Sequence, residues 1–330
     1  MAAEEPQPPP IEIGLHAAIV AVAEQQPLIL VVSPGGGEAD NLPFGPFNPL
    51  AHRTFEAGLR AWVAEQTALK IGHVEQLYTF GDRGRHTVPG DTGPHLVSVG
   101  YLALTRISDD SSGELALARA HWRRWYAFFP WEDWRGGRPA VLDEAILPAL
   151  HRWSRTEPSS GPAKRRPLGR RERLQLAFGD DSAHWDEERA LDRYELLYEA
   201  GLVAEAERDG RPLFDRAVTR LTGAFMRFDH RRILATAISR LRAKLKYRPV
   251  VFELMADTFT LTELQRAVEA ISGRHLHKQN FRRLVEGAAL VEPTAQTAPQ
   301  TRGRPAALFR FRREILKERP APGFRFGVRA

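Results

Sequence analysis

FTLTELQRAVEAISGRHLHKQNFRRLVEGAAL, residues 259–290, decides how the rest of the chain is read. Thr260 and Glu263 stand three apart ahead of an apolar stripe. That is the spacing of a capping box, in which the Thr hydroxyl accepts from the helix start and the Glu carboxylate reaches back. Leu261, Leu264, Val268 and Ile271 form the buried stripe of this helix, and Gly273 ends it. A second helix is predicted over 277–290, with Phe281, Leu284, Val285 and Ala288 at the i, i+3, i+4 and i+7 positions of a core-facing stripe. Lys278 and Arg282 share another face, as do Gln279 and Arg283. A major groove needs such side chains near a helix N-terminus: charge for phosphate, forked donors for guanine, amides for adenine. LVEPTAQ (290–296) and AALFRFR (306–312) then predict a two-stranded ribbon around the tip TAPQTRGRP. Two helices, a turn and a ribbon give a winged helix-turn-helix.

The tip carries Arg302-Gly303-Arg304-Pro305. Glycine removes steric bulk and proline holds the chain extended, so two guanidinium groups can lie in a narrow minor groove. The tetrapeptide resembles the core of AT-hook motifs. The plainer readings are an amphipathic surface helix and a solvated hairpin tip. Helix and tip taken together favour DNA. The DNA-binding candidates are therefore Thr262, His277, Lys278, Gln279, Arg282 and Arg283, with Arg302, Gly303 and Arg304 at the tip.

Charge is distributed to match. The formal net charge of +6 divides into −6 over residues 1–105, −1 over 106–224 and +13 over 225–330. One part of the chain is thus suited to a polyanion and the others are not. A length of 330 residues suggests two or three domains. With no cysteine, a disulfide framework and a cysteine nucleophile are excluded. No apolar run approaches a membrane span and no signal peptide opens the chain, so a cytoplasmic protein with no membrane partner is expected. MAAEEPQPPP reads as a disordered leader.

Upstream, residues 11–33 predict one or two buried strands, and 34–50 a Gly/Pro-rich loop. FEAGLRAWVAEQTALKIG (55–72) is a helix with Leu59, Trp62, Val63 and Leu69 on one face. VEQLYTFGD (74–82) and HLVSVGYLALTRI (95–107) are two further strands. WRRWYAFFPWEDW (122–134) holds four of the seven tryptophans, enough aromatic surface for a core or an interface. RPAVLDEAILPALHRWSR looks helical, SSGPAKRRPLGRRER (159–173) reads as a basic linker, and WDEERALDRYELLYEAGLVAEAE as a helix. A long helix near 230–246, with Ile233, Leu234, Ala237, Ile238, Leu241 and Leu245 on one face, is expected to connect the two halves.

VEQLYTFGDRGR (74–85) followed by LVSVGYLAL (96–104) resembles the Nudix-like domain of Nudix-related transcriptional regulators of NAD metabolism. The stretch FDHRRILATAISRLRAKLKYRPVVFELMADTFTLTELQ, then KQNFRRLVEGAALVEPT and RGRPAALFRF, is similar to their C-terminal part. The block 107–224 departs from compact members and looks like the alphaproteobacterial NAD regulator branch. FFPWED (128–133) stands for the strand end and loop that close a Nudix fold. The resemblance implies an α+β chain, with an N-terminal Nudix-like α/β/α sandwich and a C-terminal winged helix-turn-helix. The units expected are a leader at 1–10, a Nudix-like effector-sensing domain at 11–135 and a helical insertion at 136–228. The linker helix and winged helix follow at 229–318, then a tail at 319–330.

A Nudix hydrolase box ends in a helix whose glutamates hold metal on a diphosphate. Aligning that box on 61–69 puts Trp62 and Gln66 where metal-binding glutamates belong; only Glu65 survives, and Arg53 falls near the upstream Glu position. A lone carboxylate cannot hold a diphosphate-bridging magnesium. The resemblance therefore implies a non-enzymatic sensor that requires no cofactor and no metal. It would bind an effector such as NAD, ADP-ribose or ATP, act as a homodimer, and occupy a double-stranded DNA operator. The effector-binding candidates are Arg53, Tyr78, Phe80, Arg83 and Arg85: arginines for phosphate, rings for a base. Tyr78 and Phe80 share one side of a strand, which favours core packing over stacking, and the arginines are equally solvated loop charges. The rival is a Nudix-type ADP-ribose or NADH pyrophosphatase with residual activity, using a noncontiguous metal site at Glu56, Glu65 and Glu75.

Overall fold

The structure, a computed structural model, describes residues 10–33, 39–67, 69, 71–82, 93–107, 115, 117, 119–156, 168–179, 185–298, 305–318 and 323. Six strands form one mixed sheet: β1 (Ile11–Ala23), β2 (Gln26–Val32), β3 (Phe44–Pro46), β4 (His73–Phe80), β5 (His95–Leu104) and β6 (Ala120–Arg124). Their order is β4-β5-β1-β2-β6, with β3 paired to the first half of β1. β1 and β5 run parallel, Ile11 opposite His95 and Val20 opposite Leu104. β1 turns into β2 through Glu24 and Gln25, both at positive φ (48° and 63°), the two-residue hairpin whose twist suits the flanking strands.

β1 is apolar on both faces because both faces are covered. Leu15, Ala17 and Ile19 meet Leu59 and Val63 of α1 (Phe55–Thr67). Ala18 and Val20 face the opposite cluster. Along the block 136–228, α2 (Leu147–Ser154), α3 (Arg170–Phe178) and α4 (Ala190–Glu199) join that second cluster. So does α5 (His230–Tyr247), whose Ile233, Leu234, Ala237 and Ile238 lie within it. The helix expected to be a connector is therefore the second helical layer of the sandwich. Its polar residues His230, Arg231 and Arg242 are buried as well.

Two strands are not legible in the sequence. β3 lies inside the Gly/Pro-rich loop, and β6 is the run AHWRR, which alternates weakly and has no β-branched residue. The basic linker also ends early: α3 begins at Arg170, where the Glu172 carboxylate accepts from the Gly169 N–H at 2.8 Å. No helix among the described residues is long and apolar enough to cross a membrane.

The C-terminal part holds α6 (Leu261–Ser272), α7 (Lys278–Ala288), β7 (Val291–Thr297) and β8 (Ala307–Phe311). The capping box is formed: Thr260 Oγ1 accepts from Glu263 N–H at 3.1 Å, and Glu263 Oε2 from Thr260 N–H at 2.7 Å. Gly273, at φ +73°, ends α6. β7 and β8 pair antiparallel, and Phe259 exchanges two backbone bonds with Phe309 as an isolated bridge at the edge of the wing.

Candidate functional site

The amphipathic division of α7 is built as the stripe predicts. Phe281 and Val285 are buried under α7, while His277, Lys278, Gln279, Arg282 and Arg283 are exposed on its outer side. Thr262 is exposed in the first turn of α6, and it lines one groove of about 820 Å³ with Lys278. Arg266, one turn after Thr262, lines the same groove. The sequence reading passed over it, although its i, i+4 spacing from Thr262 was the available signal. Arg302, Gly303 and Arg304 lie outside the described residues.

In the sensor domain, α1 is held by side-chain bonds. Arg60 donates to Ile71 O at 2.6 Å and Gly72 O at 3.1 Å, and pairs with Glu56. The positions aligned with metal-binding glutamates are otherwise engaged. Trp62 Nε1 donates to Pro46 O at 2.9 Å, and its ring lies so close to Gly45 that a Cβ there would sit 2.2 Å from it. Gln66 Nε2 donates to Phe44 O at 2.6 Å, while its Oε1 accepts from Phe44 N–H at 3.0 Å. Both side chains thus clamp β3 onto α1. Burial and, after it, the charge of Glu56 push the Tyr101 hydroxyl up.

The alternative metal site does not assemble. Glu56 pairs with Arg60, Glu65 is exposed on α1, and Glu75 pairs with Lys244 of α5, on the other side of the sheet. Among the described residues no cluster of three or more His, Cys, Asp or Glu is arranged to hold a metal ion.

The effector candidates are scattered. Arg53 is exposed just ahead of α1. Tyr78 and Phe80, expected on one side of a strand, do touch, although the register of β4 to β5 shifts between Gln76 and Thr79. Tyr78 is 62% exposed and leans on Phe80 with ring centroids 5.5 Å apart. Phe80 is 2% exposed, with the Arg232 guanidinium 4.7 Å over its ring, so it belongs to the core and offers no face to a base. Arg83 and Arg85 lie outside the described residues. Directly before them, Asp82 borders a cavity of about 730 Å³ between the end of β4 and the helices α3 and α4. Three of its four arginines are paired: Arg173 by Glu199, Arg189 by Asp186 and Asp192, and Arg232 by Asp82, Glu195 and Asp229; Arg211 lies over the Tyr198 ring.

At the N-terminus of α5, Leu42 N–H donates to His230 Nδ1 at 3.0 Å. That fixes the His230 proton on Nε2, which is 2.9 Å from His16 Nδ1. Phe44 stacks on His16 and meets His230 edge-on. A run of contacts thus leads from Gln66 on α1 through Phe44 to the start of α5.

A mixed sheet between α1 and α5, followed by two helices and a two-stranded wing, defines a Nudix-like domain carrying a C-terminal winged helix. Residues 251–311 match the family described as NrtR DNA-binding winged helix domain. The ADPR responsive transcriptional repressor NtrR of Acinetobacter baylyi is 43% identical over 84 residues, 26% of this chain and 33% of that protein. The match spans only about a third of that relative. Shewanella oneidensis NrtR, solved alone and complexed with a 27mer DNA, superimposes with a TM-score of 0.51 at 19% identity. That superposition covers 92% of this chain and 95% of the other, and the likeness is one of fold.

Proposed function

We propose that the chain is a DNA-binding transcriptional repressor of NAD biosynthesis or salvage genes, whose Nudix-like domain senses an ADP-ribose-type nucleotide without cutting it. The observation that carries this is the exposed Lys278, Gln279, Arg282, Arg283 face on a helix of an NrtR-type winged-helix domain. Such a face supplies phosphate contacts and base-edge donors in one major groove. Arg302, Gly303 and Arg304 extend the contact into the minor groove, and Arg266 joins Thr262 on the phosphate backbone. The reading as a cytoplasmic homodimer on a twofold operator follows from how such modules dock.

The nucleotide is assigned from the Acinetobacter baylyi relative, which is named as ADPR responsive. Tyr78, exposed on β4, and Arg83 and Arg85 beyond it are the contacts we assign to it, with Arg53 as a further cation. The non-enzymatic reading is supported by Trp62 and Gln66, which spend their polar atoms on Pro46 and Phe44. Titrating a cognate and a scrambled duplex, each with and without ADP-ribose at physiological salt, tests the proposal. Cognate preference that changes with ADP-ribose is expected; equal binding to both duplexes overturns the regulator.

A further inference from the structure

Helix α6 ends in the hands of the sensor domain. The last carbonyls of a helix lack partners within it and need donors from elsewhere. Here Ala270 O accepts from the Tyr126 hydroxyl at 2.8 Å, Ile271 O from Arg242 Nε at 2.9 Å, and Gly273 O from Trp134 N–H at 2.7 Å. Trp134 and Arg274 also form a parallel bridge, and Arg274 donates to Trp185 O at 2.6 Å. Three donors come from three places: Tyr126 lies within the first 3-10 turn after β6, Trp134 just past the second, and Arg242 belongs to α5.

Behind these donors lies one carboxylate. Glu132, 1% exposed, accepts from Arg193 of α4 through Nε at 2.6 Å and Nη2 at 3.0 Å, and from Arg242 Nη1. Both guanidinium groups are buried, so two cations share one anion. Burial pushes the Arg193 guanidinium down, and its charge is further spread over the Trp185 ring at 3.8 Å and the carbonyls of Ala177 and Asp186. Gly273 packs straight onto the cluster: a Cβ there would lie 2.4 Å from Glu132 O and 2.9 Å from both Arg242 Nη2 and Tyr126 Oη.

We propose that the Glu132–Arg193–Arg242 cluster is the joint that fixes the winged helix on the sensor domain, and that its loosening is how the sensor changes the placement of the DNA-reading face. Arg242 cannot leave Glu132 without also releasing Ile271 O, so a shift of the segment after β6 is passed to the end of α6. The step from placement to DNA affinity rests on the reading of the winged helix given above; the joint itself does not.

The chain has no cysteine, so Glu65→Cys and Glu286→Cys place two spin labels at exposed sites, one on each part. Mixed with an excess of unlabelled protein, so that a homodimer carries labels on one protomer, the protein is expected to give one narrow distance band by pulsed dipolar spectroscopy. Tyr126→Phe removes one bond to α6, and Glu132→Gln removes the shared anion; each should broaden the band at least twofold or add a second. A band unchanged in both overturns the joint. Where Glu132→Gln fails to fold, Tyr126→Phe alone decides, a widened band supporting and an unchanged one overturning. No DNA or nucleotide is present, so absent duplex binding counts against the regulator and not against the joint.

Discussion

Gln66 holds Phe44 by both of its main-chain groups, as a neighbouring strand would. The amide is suited to this because it both donates and accepts, whereas an ionised glutamate only accepts. Gln66→Glu would therefore lose the bond to Phe44 O and set a charge against it. The expected cost is about 1–3 kcal/mol. It should show as a lowered melting midpoint, with no magnesium-dependent release of AMP from ADP-ribose. Steady turnover in that variant would mean that a single carboxylate restores chemistry, against the clamp described for this helix.

The reading face makes a separable prediction about DNA. Lys278→Ala and Arg282→Ala together should weaken a cognate duplex at least tenfold while leaving the melting midpoint unchanged, because both side chains are exposed. Phosphate neutralisation also sets the salt dependence, so the slope of log K against log salt should fall by about 1 for each phosphate that no longer meets a cation. Arg266→Ala should reduce the slope and leave the ratio of cognate to scrambled binding alone. An unchanged slope in all three would place the duplex elsewhere.

Local signals were legible and long-range ones were not. The Thr260/Glu263 capping box and the Phe281–Val285 stripe are settled within a few residues, and both formed as spaced. The exposure of Tyr78 beside buried Phe80 is not legible in the alternation, since β4 meets β5 through an irregular register. That α5, expected as a connector, is also a layer of the sandwich was hidden, since amphipathic spacing does not reveal that its polar face is buried too. The role of Glu132 was beyond reach, because its partners lie 61 and 110 positions away. Gln66 was singled out for the metal it cannot hold, yet its bond to Phe44 depends on β3, an element the loop composition concealed.

His16 and His230 should behave as one unit. Leu42 N–H sets the His230 tautomer, and the remaining His230 proton points at His16. His230→Phe removes a partner from Leu42 N–H and from His16 in a fully buried site, at an expected cost of about 1–3 kcal/mol per group left unsatisfied. His16→Phe in the same background should cost less than it does alone. A double-mutant cycle on chemical denaturation measures the difference, and strictly additive costs would show the two rings to be independent.

Acid should act on the chain through Glu132. Burial by itself pushes this carboxyl up, but the charges and hydrogen bonds of Arg193 and Arg242 outweigh it and hold Glu132 below the ordinary carboxylate value. A group depressed in the folded state contributes stability that is complete above its unfolded pKa, about 4.3 for glutamate, and is lost as pH falls through the folded pKa. The joint should therefore be intact at neutral pH and weaken only on the acid side of about pH 4. Protonated Glu132 would leave two buried guanidinium groups without their anion, and breaking a buried pair in this way costs about 3–5 kcal/mol. Glu132→Gln should be destabilised by a similar amount at pH 7, and its stability should fall less steeply than the parent's between about pH 4 and pH 2. Parallel acid limbs in the two proteins, followed by urea midpoints across that range, would show that another carboxylate governs the acid transition.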